Sequence, residues 1–148
     1  VLLRLTQKAA ARLRANGWYA QSVSVYVQGK TKSWDARRRT AAIQDSVHLS
    51  EVVAELWEGR NFDSPILVGV GFGNLAERTA CTPSLFDDHP EWDDLSRAVD
   101  TMNQKFGKNA IFLAALNDAK DSADEKIAFN KTWLFSEGKG DNEINTDF

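Results

Sequence analysis

Between Val23 and Ile43 the chain holds two runs that suit paired strands, and their pairing limits the fold more than any other stretch. The first, Val23-Ser24-Val25-Tyr26-Val27-Gln28-Gly29, alternates apolar and polar residues, the period of a strand with one buried face. Lys30-Thr31-Lys32 follows as a short loop. The second run, Ser33-Trp34-Asp35-Ala36-Arg37-Arg38-Arg39-Thr40-Ala41-Ala42-Ile43, also suits a strand but carries three successive arginines. Side chains alternate across a strand, so Arg37 and Arg39 share one face and Arg38 takes the other. The preferred parity turns Ala36, Thr40 and Ala42 to the core and exposes Arg37 and Arg39. The alternative buries the stems of that pair and exposes Arg38.

Helical patterns flank this hairpin. Leu2, Leu5, Ala9 and Leu13 recur at helical spacing, with Arg4, Lys8 and Arg12 on another face. Asn16-Gly17 stops this helix after about four turns. Leu49, Val52, Val53, Leu56 and Trp57 mark a second helix, with Ser46 as its expected cap and Gly59 at its end. Pro65-Ile66-Leu67-Val68-Gly69-Val70-Gly71-Phe72 then reads as a short central strand whose glycines let another backbone come close. The order helix, strand, strand, helix, strand predicts the α+β class: a mostly antiparallel sheet of about four strands with two helices on one face. One more strand before Val1 would complete that pattern. With no initial Met, the expectation is a piece of a longer protein whose first strand is truncated.

Two units are expected, residues 1–78 and residues 79–148. In the second, 76–90 read as loop. Trp92, Leu95, Val99, Met102 and Phe106 then mark a third helix, opened by Pro90 and stopped by Gly107. Ile111 to Leu116 suits a last strand. The polar, acidic stretch 117–148, with Phe129, Trp133, Leu134 and Phe135 isolated in it, reads as a poorly ordered tail. No internal repeat is present.

Charge is unevenly distributed. The net charge of −3 combines a front of +8, nine Lys or Arg against Asp35 alone in residues 1–44, with a remainder of −11. A basic front points to a polyanionic partner. Arginine forks bind phosphate oxygens and release counterions as they do so. The alternative reading is an edge strand guarded by charge against aggregation.

Catalytic and metal-binding patterns are weak. His48 and His89 lie far apart and Cys81 has no partner cysteine, so neither a zinc site nor an internal disulfide is expected. A lone cysteine fits a reducing compartment. Asp87, Asp88, Glu91, Asp93 and Asp94 cluster where a helix begins, the place the helix dipole favours carboxylates. There is no Gly-x-Ser-x-Gly turn, and Gly69-Val70-Gly71-Phe72-Gly73 lacks the Lys-Ser/Thr ending of a phosphate loop. No chemistry is expected of this fragment, and no run of about 18 apolar residues suggests a membrane span.

In order and spacing, residues 1–75 resemble the little-finger domain of Y-family translesion DNA polymerases, in the polymerase IV / ImpB-MucB-SamB group. The resemblance rests on Arg12-Leu13-Arg14-Ala15-Asn16-Gly17 closing the first helix and the alternating strand after it. It continues through Arg37-Arg38-Arg39-Thr40 where the family has a basic Arg-x-Arg-Thr strand, the helix bearing Leu56-Trp57, and Leu67 to Leu75. Ser84-Leu85-Phe86-Asp87 and the helix ending Asn103-Gln104-Lys105-Phe106-Gly107 resemble the family's C-terminal extension.

The resemblance implies a four-stranded sheet under two helices that grips primer–template duplex through its backbone, in damage tolerance and the SOS response, in the bacterial cytoplasm at the nucleoid. The implied backbone contacts are Arg37 and Arg39 and the amides around Val70, Gly71 and Gly73; the cationic hairpin adds Lys30, Lys32, Arg38 and Thr40 as expected DNA contacts. Some relatives carry basic or hydroxyl side chains where this chain has those two glycines. Ser84, Leu85 and Phe86 match the segment that plugs the sliding clamp, with Cys81 or Thr82 in place of its usual leading glutamine. The catalytic carboxylates and their Mg2+ belong to a palm domain this chain does not contain. The parent is then a DNA-directed DNA polymerase; the alternative is a non-catalytic accessory factor that works as a protein-interaction module.

Overall fold

A computed structural model describes residues 1–61, 64–77, 89–107, 110–112 and 114. The alternation around Val25 sets the architecture. Strand β1 (Trp18–Gln28) pairs antiparallel with β2 (Ser33–Ile43) on one side and with β3 (Leu67–Gly73) on the other. Val23, Val25 and Val27 are fully buried on one face of this sheet. Both α1 (Leu2–Ala15) and α2 (Ser46–Glu58) cover that face. Leu5, Ala10 and Leu13 of α1 and Leu49 and Val53 of α2 supply the facing apolar side chains. Each aliphatic side chain buried in this layer contributes about 1.5–3 kcal/mol, so the one-sided pattern of β1 is enough to place both helices on one face.

The expected α+β sheet with helices on one face is the fold found. Its fourth strand, β4 (Ala76–Glu77), pairs with the start of β1, Trp18 with Glu77 and Tyr19 with Ala76. Asn74, in the left-handed region at φ 50°, bends the chain between β3 and β4, and β4 continues along β1 in the register of β3.

Three local expectations are corrected. The apolar run at 65–72 is not a central strand: β1 is central, and β3 lies outermost among the described strands. Its apparent continuity came from glycine. Val68, Val70 and Phe72 face the core, while Gly69, Gly71 and Gly73 line the opposite face, so burial is one-sided. Second, Asp45 and not Ser46 caps α2; its carboxylate accepts from the amides of Val47 and His48 at 3.0 and 2.9 Å. Third, the described residues of the expected strand at 111–116 are not extended in a sheet. Ile111 instead turns back on the third helix, where the Asn103 amide bonds its N–H and C=O, both at 2.9 Å.

That third helix, α3 (His89–Phe106), ends at Gly107 with φ 106°. It docks on the C-terminal end of α1, the start of β1 and the start of α2 through polar groups. Arg14 forks onto Asp100 at 2.6 and 2.9 Å and also donates to the Gln44 carbonyl and the Ser46 hydroxyl. Asp93 accepts from the Tyr19 hydroxyl and the Gln44 amide, and Ser96 accepts from the Ser46 amide. Residues 115–148 lie outside the described residues, and with them the expected acidic tail.

Candidate nucleic-acid interface

The face of the sheet opposite the helices is the candidate site, and the strand register says what stands on it. Val25 pairs with Ala36 and Val23 with Arg38, so Ala36 and Arg38 share the helix side with the buried valines. Ser24 pairs with Arg37 and Ser22 with Arg39, which puts both arginines on the helix-free side. The preferred parity therefore holds at this end of β2. Arg37 and Arg39 are exposed, and neither forms an ion pair with any other described residue.

The other basic residues divide. Arg38 projects past the rim of the helix layer and pairs with Glu55 of α2, both half-exposed. Expected among the DNA contacts, it stands on the helix side beside a counter-charge of its own chain. The hydroxyl oxygen of Thr40, also expected at DNA, is buried and has no partner among the described residues. Lys30 and Lys32 are exposed in the turn, which the Gly29 amide closes on the Lys32 carbonyl at 2.8 Å. Arg14, counted in the basic front by composition, is 4% exposed and committed to Asp100.

Across β1 the same face continues through Ser22, Ser24 and Tyr26 to Gly73, Gly71 and Gly69 of β3. These serines and Tyr26 were missed as site residues. The signal was present, since every residue between the buried valines must look the other way. Small residues at Ser24, Gly69 and Gly71 leave room on this face, whereas Ser22, opposite Arg39, is only 3% exposed. The glycines are held to that size: a Cβ on Gly71 would lie 2.7 Å from the Ser24 hydroxyl oxygen, and one on Gly73 2.9 Å from that of Ser22. The Ser24 hydroxyl also donates to the Gly71 carbonyl at 3.2 Å. Gly71→Ala must displace that hydroxyl and lose its bond, at a cost of about 0.5–1.5 kcal/mol. Against this stands a gain of about 0.4–1 kcal/mol from a stiffer unfolded chain. Gly71→Ala should therefore be more favourable by about 1 kcal/mol in a Ser24→Ala background than in the wild type, read as the coupling in a double-mutant urea-denaturation cycle.

Among the described residues no group of three or more His, Cys, Asp or Glu is placed to hold a metal ion. His48 packs edge-on to Trp92 and hydrogen-bonds the buried Asp45 carboxylate, a structural role. No helix among the described residues is long and apolar enough to cross a membrane. Ser84, Leu85 and Phe86, expected to reach a clamp, lie outside the described residues, as does Cys81.

A family model described as the impB/mucB/samB family C-terminal domain matches residues 1–85, more than half of the chain. No curated protein and no solved structure matches.

Proposed function

The chain belongs to the impB/mucB/samB family through that family's C-terminal domain, and from this premise we propose that it holds primer–template duplex DNA by its phosphate backbone during lesion bypass. The observation that carries the reading is the pair Arg37 and Arg39, exposed on the helix-free sheet face with no carboxylate of any described residue tied to them. Lys30 and Lys32 extend the same cationic edge at the turn. The serine and glycine lane beside them is built of small residues that let a backbone come close. Contacts of this kind position a duplex without specifying sequence.

In this reading the domain adds grip to a Y-family polymerase. Nucleotidyl transfer, with its Mg2+, belongs to a separate catalytic domain of that polymerase. The sliding clamp is a second partner, met through Leu85 and Phe86. The setting is DNA repair under the SOS response in the bacterial cytoplasm.

Titration with duplexes of unrelated sequence tests the grip. Affinity should be nearly the same for each and should fall steeply as salt rises. Marked preference for one sequence, or binding insensitive to salt, would remove the reading. Arg38→Ala serves as the internal control. It faces the helices and pairs with an exposed partner, so affinity should change by less than about twofold and stability by less than about 1 kcal/mol.

A further inference from the structure

We propose that α3 is a self-association helix, along which two copies of this chain pair antiparallel. Trp92, Leu95, Val99, Met102 and Phe106 are spaced three, four, three and four residues apart, the seam of a coiled coil. A domain-facing helix normally turns such a stripe inward. Here the inward side is polar, with Asp93, Ser96 and Asp100 bonded to Tyr19, Gln44, Ser46 and Arg14. Trp92 at its head meets His48 edge-on and Val99 is half-buried, but the rest of the seam stands beside that contact, uncovered by the described residues, with Leu95 52% and Phe106 61% exposed.

Charge and symmetry select a second copy as the occupant. The seam is nearly symmetric about Val99. Antiparallel pairing sets Trp92 against Phe106, Leu95 against Met102 and Val99 against its own counterpart. The outer flank carries Glu91, Ala98 and Lys105 at seven-residue spacing. The same pairing brings Glu91 of one copy to Lys105 of the other, twice by symmetry, with the small Ala98 between them. Neither residue forms a salt bridge with another described residue. A parallel pair would instead set this flank against Ser96 and Asn103, which carry no charge. The two helix dipoles also oppose each other only in the antiparallel arrangement. A seam of fourteen residue steps spans about 21 Å, short for a permanent interface, so the dimer is reversible and depends on concentration.

Sedimentation equilibrium of the whole chain over a wide concentration range tests this. The wild type should pass from monomer to dimer. Glu91→Lys and Lys105→Glu should each weaken association about tenfold, since each turns two attractions into repulsions, and the double variant should restore it. Leu95→Glu, at a half-exposed position, should give a monomer with unchanged circular dichroism. A wild type monomeric at every concentration overturns the proposal, as does failure of the charge exchange to restore pairing. A monomeric wild type that Leu95→Glu destabilises also overturns it, because a segment of the same chain then covers the stripe. DNA affinity at low protein concentration is a separate reading, so failure of one leaves the other standing.

Discussion

Replacing Arg37 and Arg39 together by alanine is expected to weaken binding to every duplex alike, by about thirtyfold at about 0.15 M salt. The magnitude follows from counterion release. Each arginine that neutralises a phosphate adds about 0.9 to the slope of log affinity against log salt, so losing two contacts flattens the slope by about 1.8. The protein itself should be unharmed. Both side chains are exposed and without ion-pair partners among the described residues, and such surface changes alter stability by about 0.5 kcal/mol or less. Arg→Lys at both positions sharpens the test: the charge and the slope remain, while the planar fork that grips two oxygens is lost. Fluorescence anisotropy at several salt concentrations would measure all of this. Equal affinity of wild type and double alanine variant at low salt would remove the phosphate grip from these residues.

Alternation alone put Arg37 and Arg39 on one face of β2 and left two parities open. Val23, Val25 and Val27 declare the buried face of β1, and only the pairing register, Ser24 with Arg37 and Val25 with Ala36, carries that choice across to the arginines. Alternation separated Arg38 from Arg37 and Arg39 but left its face open, and its partner Glu55 lies on a helix that pattern places only approximately. Near Thr40 local pattern gives out: the register shifts between Ala20 and Ser22, and alternation no longer fixes the side. The β3 run misled for a chemical reason, since a glycine counts as apolar in a hydropathy pattern yet buries nothing. At the head of α2, Asp45 and Ser46 are both good caps, and only the backbone geometry chooses between them. Arg14 was hidden most deeply. Its carboxylate partner is 86 residues away, and nothing near Arg14 in sequence marks it as anything but one more surface cation.

That hidden pair gives the largest expected effect on stability. The Arg14 side chain is 4% exposed, and four hydrogen bonds hold its guanidinium: two to Asp100, one to the Gln44 carbonyl and one to the Ser46 hydroxyl. Asp100→Asn keeps the shape of the partner and removes its charge. A buried cation is then left with neutral acceptors, which should cost about 3 kcal/mol. Adding Arg14→Met removes the orphaned charge as well and should recover part of that loss, because the Met–Asn pair has no charge to desolvate, although the Gln44 carbonyl and the Ser46 hydroxyl lose their donor. An exposed pair would behave otherwise, with each single change within about 1 kcal/mol. Urea denaturation of the two single variants and the double variant separates these cases. Losses below about 1 kcal/mol for Asp100→Asn would mean that α3 is not held by this pair. Duplex affinity provides the cross-check: α3 docks on the helix side of the sheet, so variants that loosen it should leave the grip of Arg37 and Arg39 unchanged while they remain folded.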